Sequence, residues 1–119
     1  MIKFTEHDDR FESVIFIDEI ELVLSIDKPI SSSAFQNIST VFENSHKLLV
    51  KNSLAYIKQQ KEAYEIPYLD DFSDPQIIGD DQQVSVYWYS KKGEESGASI
   101  IGVDFSLDKL EPINLVIGD

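Results

Sequence analysis

The sequence predicts an α+β fold, in which an antiparallel sheet packs on one helix. Strand-like runs of alternating apolar residues occur at both ends of the chain, and residues 34–64 between them contain neither proline nor glycine. The predicted order is β-β-α-β-β-β, and strands that flank a helix in this way are typical of an antiparallel sheet covered on one face. The chain has 119 residues, which fits a single domain, 1–119.

The first predicted elements form a hairpin. Phe11–Ile17 is rich in β-branched and aromatic residues, Glu19–Ile26 alternates, and Asp18-Glu19 is a plausible tight turn between them. Ile2–Thr5 is a candidate edge strand, and Asp27-Lys28-Pro29 ends the segment because proline cannot donate to a strand ladder. The second strand places four apolar residues on one face: Ile20, Leu22, Leu24 and Ile26.

The helix is predicted from Ser33 to Ile66. The serines at 31–33 are good N-caps, and Pro67 ends the helix. A break at Asn44–His46 stays open as an alternative, because an uninterrupted helix of this length is large for so small a domain. The apolar arc keeps its phase through that point and contains Phe35, Ile38, Phe42, Leu49, Val50, Ser53, Tyr56, Ile57 and Tyr64.

The second half begins with a predicted loop, Tyr68–Gln83, because Asp74-Pro75 and Gly79-Asp80 are typical turn pairs. Three strands follow at Val84–Tyr89, Ser99–Phe105 and Ile113–Ile117, and the first two are joined by a polar hairpin loop. Residues 87–89 are Tyr-Trp-Tyr, so the tryptophan and the two tyrosines point to opposite faces. The sequence does not decide which of them faces the core.

Composition excludes several classes of protein. There is no cysteine, so disulfide frameworks, thiolate metal sites and cysteine nucleophiles are ruled out. The formal net charge of −12 repels phosphate backbones and anionic lipid and attracts basic proteins. We find no apolar run long enough to span a membrane and no signal-peptide pattern at the N-terminus, and we therefore expect a cytoplasmic protein that binds neither nucleic acid nor membrane.

Charge is unevenly distributed along the chain. Residues 62–90 contain seven acids and no lysine or arginine, whereas Lys47, Lys51, Lys58 and Lys61 form a basic stripe on the back of the helix. The acids are either solvated turn formers or a surface for a basic partner. On the second interpretation the candidate partner-binding residues are Glu62, Glu65, Asp70, Asp71, Asp74, Asp80, Asp81, Tyr87 and Tyr89.

No catalytic residue, metal site or cofactor is predicted. The acids at 70–81 are suitable oxygen ligands for calcium or magnesium, but they lack the spacing of an EF-hand. His7 lies in a polar N-terminal stretch and His46 near the possible helix break, and both are better explained as surface residues than as general bases. The fingerprints of hydrolases, nucleotide-binding loops and zinc proteases are also absent.

The pattern of helix, acidic stretch, residues 84–89, polar loop and residues 99–105 resembles small bacterial α+β domains of unknown function, some of which are immunity proteins against secreted toxins. The resemblance covers about two thirds of the chain, contains no diagnostic motif, and implies a binding role in a bacterial cytoplasm. The leading hypothesis is a non-enzymatic acidic protein that neutralises a basic, nuclease-like toxin. The alternatives are a small acidic hydrolase and a homodimer that pairs an exposed strand edge.

Overall fold

A computed structural model describes residues 1–60 and 71–118. Within these residues, one sheet of seven strands follows the order of the chain and packs on one helix. The elements are β1 (Thr5–Glu6), β2 (Arg10–Ile17), β3 (Ile20–Asp27), α1 (Ser32–Gln60), β4 (Phe72–Gly79), β5 (Gln83–Ser90), β6 (Ile100–Ser106) and β7 (Pro112–Gly118), with a short 3-10 helix at Lys92–Ser96. The fold is therefore α+β, with seven strands instead of the five predicted.

The sheet is antiparallel except at one pair. β3 and β4 lie parallel, with Val23 opposite Gln76 and Ile26 opposite Gly79. The helix connects these two strands, as a crossover between parallel neighbours requires. The prediction of a wholly antiparallel sheet was wrong at this pair because the strand β4 was not foreseen.

Helix α1 begins and runs as its sequence indicates. Ser31 caps it, since its hydroxyl accepts a hydrogen bond from the amide of Ala34 at 3.1 Å. The helix continues through Asn44–His46 without the break left open above. The predicted extent beyond Gln60 lies outside the described residues.

The core lies between α1 and one face of the sheet. The described members of the predicted helical arc are buried or pack against the core, and Leu22, Leu24 and Ile26 contribute the matching row from β3. The remaining fully or nearly buried apolar residues alternate along the central strands: Ile77, Val84, Val86, Trp88, Ile101, Val103 and Phe105. Trp88 therefore faces the helix, and Tyr87 and Tyr89 lie on the other face of the sheet.

The predicted edge strand Ile2–Thr5 is displaced. Pairing begins only at Thr5, which lies opposite Glu12. The residues before it turn away to the helix, where the ring of Phe4 packs edge-on against Phe35 at 5.7 Å and the amide of Ile2 donates to the carboxylate of Glu43. Packing on the helix thus replaces continued pairing in the sheet.

The predicted loop Tyr68–Gln83 was wrong over Phe72–Gly79, which forms β4. The Asp74-Pro75 pair is accommodated in a bulge, where the register shifts between Ser73 and Gln76 and the backbone of Asp74 is left-handed, with φ at 50°. A bulge leaves a position in the ladder where the missing amide hydrogen of proline costs nothing.

Candidate binding surface

The face of the sheet opposite α1 is the candidate site, and we call it the open face. Among the described residues no element packs over it as a second layer. Side chains of paired residues lie on the same face, so the strand register shows which residues meet there. One row crosses six strands through Val14, Val23, Gln76, Tyr87, Gly102 and Val116.

Tyr87 lies at the centre of this row, with its ring across Gly102 on β6. A Cβ atom on Gly102 would come within 2.5 Å of Tyr87 Cδ1, so only glycine leaves space for the ring. An aromatic ring that covers a cross-strand glycine fills the gap left by the missing side chain. Tyr87 is therefore half-buried and held flat against the sheet.

A hydrogen-bonded row runs beside Tyr87. Asp104 is only 6% exposed, and its two carboxylate oxygens accept hydrogen bonds from the hydroxyl of Ser85 and the amide of Asn114, each at 2.5 Å. These bonds join β5, β6 and β7 on the open face. A buried carboxylate satisfied in this way fixes the neighbouring strands relative to each other.

Exposed apolar side chains lie toward the β2 end of the open face. Phe16 is 68% exposed and Val14 is 46% exposed. Across the sheet, the hydroxyl of Tyr89 donates to the carboxylate of Glu94, which lies in the short 3-10 helix. Aromatic rings with limited freedom are common anchors in protein interfaces.

The charges on the open face are mostly negative. Strand pairing places four acids and one base there among the described residues: Glu12, Glu21, Asp27, Asp104 and Arg10. Arg10 is engaged locally, because it forms ion pairs with Glu12 at 3.1 Å and with Asp9 at 2.8 Å. The aromatic side chains of Phe16, Tyr87 and Tyr89 are thus bordered by carboxylates.

Asp27 is under electrostatic strain at the end of β3. Asp27 as a whole is exposed, but nearby protein atoms partly shield its carboxylate from water. This desolvation raises the pKa of Asp27. Repulsion from Asp80 and Asp9 raises the pKa further, and Arg10 opposes both effects. A cationic group from a partner would relieve this repulsion.

The predicted acidic loop is not one surface. β4 separates its described acids, so that Asp71 and Asp74 lie near the start of the strand and Asp80 and Asp81 lie beyond its end. The remaining predicted acids, Glu62, Glu65 and Asp70, lie outside the described residues. The two predicted tyrosines are both on the open face.

Two of the separated acids have local structural roles. Asp71 accepts hydrogen bonds at 2.8 Å from the hydroxyl of Ser90 and from the amide of Lys92, and the bond from this amide is the main reason that the pKa of Asp71 is lowered. Asp80 accepts from the amides of Gln82 and Gln83 and so closes the β4–β5 turn. Asp74 and Asp81 are exposed.

Several open-face residues were missed by the sequence analysis, notably Glu12, Phe16, Glu21 and Asp27. The signal was present in the alternation of β2 and β3, since residues between buried positions must face the other side. Alternation alone does not identify a binding surface, because the sequence does not show whether a second layer covers that side.

The described residues contain no group of three or more histidine, cysteine, aspartate or glutamate side chains that could hold a metal ion. His46 is engaged with its own helix, since its Nδ1 lies 2.7 Å from the carbonyl oxygen of Phe42. No helix in the described ranges is long and apolar enough to cross a membrane. Comparison with protein-family models, curated proteins and solved structures finds no match.

Proposed function

We propose that this protein is a non-enzymatic binding protein that holds a basic protein partner on its open face. The observation that carries the proposal is the combination of Phe16, Tyr87 and Tyr89 with a border of carboxylates on a sheet face that no described element covers. The net charge of −12 would speed the approach of a cationic partner.

The most concrete form of this function is a cytoplasmic immunity protein that neutralises a basic, nuclease-like toxin. A nuclease binds phosphate and so presents a cationic cleft, which an acidic face can occupy. The buried Asp104 network and the Tyr87–Gly102 contact make the open face rigid, and a rigid surface loses little entropy on binding.

The test uses the C-terminal domain of the protein encoded immediately upstream of this gene. Binding kinetics are measured at two salt concentrations for the native protein and for a triple variant, Glu12→Gln, Glu21→Gln and Asp27→Asn. We expect association to slow by about tenfold at low salt and to depend less on salt than that of the native protein. The matched control reverses Lys51 and Lys58 on the back of α1, both exposed, and should associate at the native rate or faster.

Three results would contradict the proposal. The first is an upstream product that does not bind, the second is unchanged association of the open-face variant, and the third is loss of binding only in the control. Thermal unfolding of each variant shows whether the fold is intact.

A further inference from the structure

A second surface lies at the outer edge of β2. The ladder with β1 contains only Thr5–Glu12 and Glu6–Phe11, so the rest of this edge has no strand partner among the described residues. Ile17 and Ile20 close a two-residue hairpin and form a hydrogen-bonded pair, because this is the geometry of such turns. By alternation, the backbone N–H and C=O groups of Val14 and Phe16 point outward from the sheet.

A groove runs along this edge on the side of the helix. It exists because residues 1–4 leave the line of β1 and cross to α1, where Ile2 donates to Glu43. The groove has a volume of about 560 Å³ and lies between β2 and α1, with Ser13 and Ile15 on one wall and Glu43, His46 and Lys47 on the other. A single extended segment would fit between the strand edge and the helix.

The groove is basic within an acidic protein. Lys3 and Lys47 line it, and within the described residues neither forms an ion pair. The carboxylate of Glu43 accepts a hydrogen bond from the amide of Ile2, which is the main reason that its pKa is lowered, and it also lies 3.3 Å from the N-terminal ammonium group. The remaining charge in the groove therefore favours acidic side chains.

We propose that the β2 edge binds an extended peptide in which apolar and acidic residues alternate. The peptide adds a strand to the sheet and exchanges backbone hydrogen bonds with Val14 and Phe16. Alternate side chains of a strand point to opposite faces, so one set enters the groove beside Lys3 and Lys47 while the other packs on the exposed side chains of Val14 and Phe16. This ligand differs from the basic protein proposed for the open face.

A second copy of this chain is a poorer occupant of the groove. If two β2 edges paired, the residues turned toward the helix would be Ser13, Ile15 and Ile17, which offer no acid to Lys3 or Lys47. Two chains of charge −12 also repel each other. An acidic peptide can pair with the outward backbone groups of β2 and can also neutralise the positive charge of Lys3 and Lys47.

The experiment uses two end-blocked, fluorescein-labelled heptapeptides, one alternating valine with glutamate and the other valine with lysine. Fluorescence anisotropy should show the glutamate peptide binding at least tenfold more tightly than the lysine peptide at low salt. The amide signals of Val14 and Phe16 in ¹⁵N-labelled protein should shift on binding and become protected from exchange with solvent.

Two variants test the two parts of the site. Lys47→Glu should reverse the preference toward the lysine peptide, a change that simple loss of folding cannot produce, whereas Lys58→Glu on the same helix should leave the preference unchanged. Val14→Pro removes an outward amide hydrogen, which an edge strand tolerates, and should abolish binding.

Equal affinity for the two peptides, no binding of either, or shifts confined to other strands would overturn the proposal. Concentration-dependent dimerisation that Val14→Pro abolishes would also overturn it, because it would assign the β2 edge to a second copy.

Discussion

The indole N–H of Trp88 donates a hydrogen bond to the hydroxyl of Ser53 at 2.9 Å, and this bond joins the central strand β5 to the helix. Ser53 in turn donates to the carbonyl of Val50 at 2.7 Å. Both residues are buried: Ser53 is completely buried, and Trp88 is only 5% exposed. The only polar group of a large core residue is thus satisfied by a serine in the middle of the apolar arc.

Replacing Ser53 with alanine should destabilise the protein by about 1–3 kcal/mol, because the indole N–H would stay buried without an acceptor. Urea denaturation of the variant measures the change. Ser39→Ala is the matched control, since the hydroxyl of Ser39 is already buried without a hydrogen-bond partner among the described residues and its loss should be neutral or stabilising. Equal destabilisation by both substitutions would contradict the role given to Ser53.

Gly102→Ala should destabilise the protein by about 1–3 kcal/mol, because the new methyl group would overlap the ring of Tyr87. Tyr87→Ala removes that ring, so the double variant should be less destabilised than the sum of the two single variants. A double-mutant cycle in urea measures the coupling. Strict additivity would show that the ring does not lie across Gly102 in solution.

Asp27→Asn should stabilise the protein at neutral pH. The folded-state pKa of Asp27 is raised, so its charged form disfavours the folded state, and stability falls as pH rises from the unfolded pKa of about 3.9 through the folded value. The difference in unfolding free energy between the variant and the native protein should therefore vanish at pH values below this window and reach its full size above it. Unfolding free energies measured from pH 3 to pH 7 test this; a variant less stable at pH 7 would refute it.

Asp71→Asn should destabilise the protein at neutral pH. The two carboxylate oxygens of Asp71 accept hydrogen bonds from the hydroxyl of Ser90 and the amide of Lys92, and the single, uncharged oxygen of asparagine can replace only one of these acceptors. The pKa of Asp71 is lowered, so its contribution is present above the unfolded value and is lost as pH falls through the folded value. Asp74→Asn is the control, since Asp74 is exposed and asparagine tolerates its positive φ. Thermal unfolding of both variants at pH 7 should separate them.

The sequence pattern predicts most of the helix and the hairpins well, because their signals are local. The arc around Ile38, Phe42 and Leu49 and the turn at Asp18-Glu19 depend on residues close together in the chain. Asp18 has the positive φ of 52° that such a tight turn requires. Local chemistry is therefore sufficient for these elements.

The predicted loop at Tyr68–Gln83 was wrong over β4 for a physical reason that no local sequence pattern contains. Asp74-Pro75 has the composition of a turn, but β4 pairs with β5 before and after it and with β3 from Gln76 onward, and this pairing holds it in the sheet as a bulge. Asp71 and Asp80 are two of the candidate partner-binding residues, and each accepts a hydrogen bond from the backbone of its own chain, which no sequence pattern indicated. Alternation predicted that Trp88 and the two tyrosines lie on opposite faces, which is confirmed, but it did not determine which face is the core.

The parallel pair of β3 and β4 has a consequence for the order in which the chain assembles. The β2–β3 hairpin and the β4–β7 meander each form from neighbours in sequence, whereas Val23 meets Gln76 only after a much larger loop has closed. Closing such a loop costs entropy before its contacts return any free energy, and contacts of this kind slow folding. The rate-limiting step should therefore be the pairing of β3 with β4, which joins the preformed β2–β3 hairpin to the preformed β4–β7 meander. Helix α1 connects these two parts.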